Sequence, residues 1–114
     1  MLKNNIHPTA IIGGEVVLGE NNTIGPYSII TGPIQIGNNN YIGPHTVIGC
    51  EATDTKRVNY GYTNPIVIIG NNNIIREYSL VEQPCYEEQT IIGNNVYIMQ
   101  GVHVSHDCHI QDDA

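Results

Sequence analysis

The sequence has no tryptophan and no phenylalanine, and its 4 lysines and arginines face 11 aspartates and glutamates. The formal net charge of -7 excludes a nucleic-acid surface, because neutralising phosphates requires clustered basic residues. Lys56-Arg57 is the only adjacent basic pair. No apolar run approaches transmembrane length, so an integral membrane segment is excluded, and Met1-Leu2-Lys3-Asn4-Asn5 does not open like a secretory signal. The 3 cysteines are widely spaced and form no CxxC. That rules against a disulfide frame and points to reduced thiols in the cytoplasm.

What is present is equally uneven: 12 Gly, 7 Tyr, and an aliphatic content dominated by Ile and Val, which favours strands. The 114 residues make one domain over 1–114. From Ile6 an aliphatic residue recurs every sixth position through Ile12, Leu18, Ile24, Ile30, Ile36, Ile42 and Ile48. The following residue is usually Gly, as at Gly13, Gly19, Gly25, Gly37, Gly43 and Gly49. A helix requires spacings of three and four, and a simple strand a spacing of two. A second period lies over the first: Ile6-His7-Pro8, Ile24-Gly25-Pro26 and Ile42-Gly43-Pro44 share their pattern three units apart. Both periods follow from an all-β, single-stranded parallel β-helix with six residues per side, three sides per coil and about five to six coils. Gly is expected at its tight corners. The recurring Asn residues suit either stacked amide ladders or turns that tolerate left-handed backbone.

The ladder breaks twice. A third-side unit is due at position 54 but resumes at Ile69-Gly70-Asn71-Asn72-Asn73, and another due at 87 resumes at Ile92-Gly93-Asn94-Asn95. Two loop insertions therefore lie near 50–68 and 84–91, and long loops on rigid scaffolds tend to carry function. Both leave from the second side, whose third position reads Gly14, Gly32, Cys50, Gln83, His106. Counting coils puts His106 over Gln83 and about 10 Å from the start of the longer loop.

The segment Gly101-Val102-His103-Val104-Ser105-His106-Asp107-Cys108 resembles the UDP-N-acetylglucosamine acyltransferases of lipid A biosynthesis, as do Ile6-His7-Pro8-Thr9-Ala10 and Ile75-Arg76-Glu77. The resemblance runs along the whole chain but covers only the first half of a family member, and 110–114 opens a further unit. The chain is therefore read as the N-terminal part of a longer protein. The resemblance implies a left-handed coil and a homotrimer with active sites between subunits. It implies an acyl group moving from an acyl carrier protein thioester, with no bound cofactor, to the hydroxyl or amine of a UDP-linked amino sugar. His106 matches the general base, Asp107 the residue that assists it, and Asp54 and Lys56 residues contacting the sugar nucleotide. His103, Glu82 and Gln83 are expected to complete the substrate site. Glu82 departs from the family, which carries a His there, and the chain offers little basic surface for an acidic carrier protein. An oxyanion donor is expected from coils following Ala114.

The chemistry is coherent, since a sugar hydroxyl is a weak nucleophile that needs a positioned imidazole as proton acceptor, and a neighbouring carboxylate fixes the tautomer. Alternatives from other classes are a sugar acetyltransferase using acetyl-CoA, or acyl-CoA as donor, and a non-catalytic β-helical scaffold or oligomerisation module. No metal is expected: His103, His106 and His109 are spaced three apart, but His103 and His109 close different sides and diverge. His45 and His109 are read as surface residues, Glu87-Glu88 as solvated, and neither Cys50 nor Cys108 as a thiolate nucleophile.

Overall fold

A computed structural model describes residues 3–54 and 63–114. Among them are fifteen short strands in three parallel five-stranded sheets, each coil giving one strand to each sheet. The first sheet contains β1 (Asn5–Ile6), β4 (Thr23–Ile24), β7 (Tyr41–Ile42), β10 (Ile74–Ile75) and β13 (Tyr97–Ile98). The second contains β2 (Ile11–Ile12), β5 (Ile29–Ile30), β8 (Val47–Cys50), β11 (Leu80–Glu82) and β14 (His103–Val104). The third contains β3 (Val16–Leu18), β6 (Ile34–Ile36), β9 (Ile66–Ile69), β12 (Gln89–Ile92) and β15 (His109–Ile110). Among the described residues no helix is long and apolar enough to cross a membrane.

The six-residue ladder is the register. Ile24, Ile42, Ile75 and Ile98 are successive partners in the first sheet; Ile30, Ile48, Val81 and Val104 in the second; Ile36, Ile69, Ile92 and Ile110 in the third. The ladder residues therefore keep their pairing on both sides of each insertion. Strands of two residues are far too short to persist alone. They hold because their aliphatic side chains stack in one apolar column while main-chain bonds such as Gly43 N–H to Ile75 O, 2.8 Å, tie coil to coil. Each side sends a second residue inward four places after the ladder residue, and this row is polar in two of its columns. Asn22, Asn40 and Asn73 are buried, as are Ser28, Thr46 and Ser79.

Both readings of the asparagines hold, at different positions. Asn40 Oδ1 accepts the Asn73 N–H at 2.9 Å and its Nδ2 donates to Gly70 O at 2.9 Å; Asn22 and Asn73 repeat the pattern. This ladder satisfies polar main-chain groups that would otherwise be stranded in the core. Asn21, Asn39, Asn72 and Asn95, one residue earlier, have φ near +60° and make the corners, as do Tyr27, His45, Tyr78, Asp107 and Asp113.

The glycines therefore do something other than expected. Most corners are turned by Asn, Asp or an aromatic residue, and the repeated Gly lies two positions earlier. A Cβ at Gly37 would run into Asn71 Oδ1 and the Gly70 carbonyl, and at Gly70 into Asn94 Oδ1 and the Gly93 carbonyl. Gly is there because the next coil passes too close for a side chain.

A second correction concerns the expected column of Cys50 beneath Gln83. The register shifts between Val81 and Glu82, so that Cys50 pairs with Glu82. Gly49, at φ +91°, is the extra residue: it bulges where the chain leaves the sheet for the first insertion.

Candidate active site

The second sheet carries the site at its last two coils. Beyond Val104 the chain turns at Asp107 (φ +70°), and the Asp107 N–H donates to Thr90 Oγ1 at 3.0 Å. This corner presents the Asp107 carboxylate to the second insertion. Its Oδ1 accepts the N–H groups of Cys85, Tyr86 and Glu87 at 2.8, 3.0 and 2.9 Å. Its Oδ2 receives His106 Nδ1 at 2.7 Å. Burial alone would raise this carboxyl, but the bonds from His106, Glu87, Cys85 and Tyr86 outweigh it and hold the group below the ordinary carboxylate range. An ionised carboxylate only accepts, so Nδ1 of a neutral His106 carries the hydrogen and Nε2 keeps its lone pair. That is the tautomer a general base requires.

Glu82 lies below. Although charged, it is fully buried at the end of β11, and each oxygen is engaged. Oε1 accepts the His106 N–H at 3.1 Å, while Oε2 accepts the Thr53 hydroxyl and pairs with His103 Nε2 at 3.1 Å. Desolvation pushes the Glu82 carboxyl up, yet the bonds from Thr53, His106 and His103 bring it below its usual value. Glu82 thus ties the first insertion, through Thr53, to both histidines of the motif.

The insertions also meet directly: Tyr86 Oη donates to Asp54 Oδ2 at 2.6 Å, and the Tyr86 ring lies tilted 5.7 Å from the His106 ring. Cys85 Sγ is 3.8 Å from His106 Nδ1. One ligand atom each from Asp54, Cys85 and His106 lies within 4.8 Å of the others.

The structure therefore brings together Asp54, Glu82, His103, His106 and Asp107. Gln83 turns away, its Nε2 donating to Pro33 O at 3.1 Å. Lys56 lies outside the described residues. His109 bonds Gln89 O at 3.0 Å from the third sheet, while His103 faces Glu82 on the second. Arg76 and Glu77, also matched by the resemblance, pair with each other at the first sheet at 2.7 Å. Sequence reasoning passed over Thr53, Cys85, Tyr86 and Thr90, all of which touch the site. Only their positions within the two insertions hinted at them.

The bacterial transferase hexapeptide family (six repeats) matches residues 15–50. The chain carries that hexapeptide repeat. An acyl-[acyl-carrier-protein]--UDP-N-acetylglucosamine O-acyltransferase of Rickettsia canadensis is 38% identical over 128 residues, covering 95% of this chain and 47% of that protein. One from Rickettsia typhi is 38% identical over 105 residues, covering 90% and 39%. Among solved structures, LpxA from Acinetobacter baumannii superposes with a TM-score of 0.72 at 32% identity, covering 95% of this chain and 48% of that one. The UDP-N-acetylglucosamine acyltransferase from Campylobacter jejuni gives 0.73 at 26%, covering 96% and 49%. The chain thus spans between 39% and 49% of the length of these relatives. The shared fold also sets the hand, a left-handed coil, against the ordinary right-handed preference for parallel crossovers.

Proposed function

We propose that this hexapeptide-repeat chain supplies the general base of an acyltransferase that moves an acyl group from an acyl carrier protein thioester to the hydroxyl of a UDP-linked amino sugar. The observation that carries the reading is the His106–Asp107 pair, with Nδ1 held at 2.7 Å and Nε2 left as acceptor. In the reaction Nε2 takes the hydroxyl proton as the sugar oxygen attacks the thioester carbonyl. The C–S bond then breaks, and the imidazolium returns the proton to the leaving thiolate. Asp107 stabilises the imidazolium without itself becoming protonated. Asp54, Lys56 and His103 would contact the sugar nucleotide, and Glu82 would hold His103 in position. The names of the relatives support the substrates, and this reading includes a homotrimer working in the cytoplasm.

The test is acyl transfer by the purified protein, with acyl carrier protein or coenzyme A thioesters as donor and UDP-N-acetylglucosamine as acceptor. His106→Ala should lower turnover about 10²–10⁴-fold, the usual contribution of a positioned base. Turnover unchanged in that variant, or absent from the parent with every donor, overturns the reading.

A further inference from the structure

We propose that Asp54, Cys85 and His106 form a binding site for a zinc-class divalent cation, and that metal held there disables His106 as a base. The cation site rests on three side chains from three separate segments and does not depend on the acyl-transfer reading, whereas the loss of the base rests on that reading. Asp54 belongs to the first insertion, Cys85 to the second and His106 to the segment after β14, and their ligand atoms come within 4.8 Å of one another. In a tetrahedral zinc site, Zn–S of about 2.3 Å and Zn–N of about 2.0–2.1 Å put sulfur and nitrogen about 3.6 Å apart. Cys85 Sγ and His106 Nδ1 stand at 3.8 Å.

The donor chemistry selects the cation. A thiolate beside an imidazole suits zinc and its neighbours rather than magnesium or calcium, and three protein ligands leave a fourth position open. A thiolate and a carboxylate together neutralise a dication, with one proton released from the Cys85 thiol on binding. Cys85 is 2% exposed, and burial first, then the charges of Asp107, Asp54 and Glu82, push its thiol up. A cation relieves that crowding of negative charge.

Supports behind the ligands are already in place. The Tyr86 hydroxyl holds Asp54 Oδ2 at 2.6 Å, and for metal on Nε2 the Asp107 bond to Nδ1 at 2.7 Å is the carboxylate–histidine arrangement that orients imidazole ligands of zinc. Either ring nitrogen leads to the same loss of the base. Metal on Nε2 occupies the base itself. Metal on Nδ1 displaces the hydrogen shared with Asp107, which moves to Nε2 and protonates the base.

The experiment is a cobalt(II) titration of the full, reduced chain, followed by back-titration with zinc. Expected are one equivalent per chain, the visible bands of tetrahedral cobalt and a near-ultraviolet thiolate-to-cobalt band, all lost when zinc is added. Cys85→Ser should remove the thiolate band, and Cys85→Ser and Asp54→Asn should each weaken binding at least about tenfold. His109→Ala should change neither. A missing thiolate band, or one that survives Cys85→Ser, overturns the site. Circular dichroism of each variant confirms that the coil is intact. In the acyl-transfer assay the ratio of rates with and without zinc should fall well below one for the parent and return towards one in Cys85→Ser. A parent protein inert without metal would defeat the acyl-transfer reading alone, because the cobalt spectra need no turnover.

Discussion

The Asp107 carboxylate accepts the Cys85 N–H at 2.8 Å through one oxygen while the other holds His106 Nδ1 at 2.7 Å. One side chain therefore both fastens the second insertion to the coil and sets the tautomer of the candidate base. Loop placement and base orientation become a single structural variable.

Asp107→Asn separates the two. An amide oxygen can still accept some of the loop N–H groups, but whichever amide atom faces Nδ1 no longer brings a carboxylate charge to the imidazolium. Turnover should fall about 10²–10⁴-fold, the usual contribution of a positioned base, with only a small loss of thermal stability; the equivalent change in a Ser-His-Asp triad lies at the upper end of that range. Asp107→Ala strands the Cys85, Tyr86 and Glu87 N–H groups as well and should cost about 2–4 kcal/mol in urea unfolding. Equal stability of Asn and Ala variants would show that the loop bonds contribute little.

Glu82 gives the acid limit. The Glu82 and Asp107 carboxyls both sit below their ordinary values, so their stabilisation is fully present above the unfolded carboxylate range and is lost as the pH falls through the folded values. The melting temperature should therefore drop steeply below about pH 4. Glu82→Gln should be less stable at pH 7 by about 1.5–3 kcal/mol, a gap that narrows in acid. A gap that widens on acidification would contradict the assigned ionisation. Glu82→His, the residue type of the resembling family, tests whether an imidazole can replace the carboxylate as the partner of His103.

The amide ladder makes a third prediction. Asn40 is buried and serves coils on both sides, so Asn40→Ala should destabilise by about 2–4 kcal/mol, whereas Asn39→Gly at the exposed corner should cost less than about 1 kcal/mol. Denaturant unfolding of the two variants side by side measures the difference.

Glycines should divide by position. Gly37→Ala places a methyl against the next coil and should cost more than about 2 kcal/mol. A methyl added at Gly14 would meet nothing within 4 Å, and φ there is not positive, so Gly14→Ala should be neutral or stabilise by up to about 1 kcal/mol. Equal melting temperatures for the two variants would mean that coil spacing adjusts freely.

The sequence by itself determined the coil. A period of six under a period of eighteen is a local, repeated constraint, and every ladder residue from Ile24 to Ile110 occupies the register that counting assigns, across both insertions. His106 over the insertions was readable for the same reason, because stacking converts sequence distance into height. Only the tertiary structure decided the rest. Loops obey no period, so nothing in the spacing of Thr53, Cys85 or Tyr86 announced that they meet His106. The bulge at Gly49 slid Glu82 into the place expected for Gln83, and a one-residue slip in a strand reverses which side chain faces the partner. The repeated glycines could be counted in the chain, but their reason could not. It is the closeness of the next coil, which exists only once the coils have stacked.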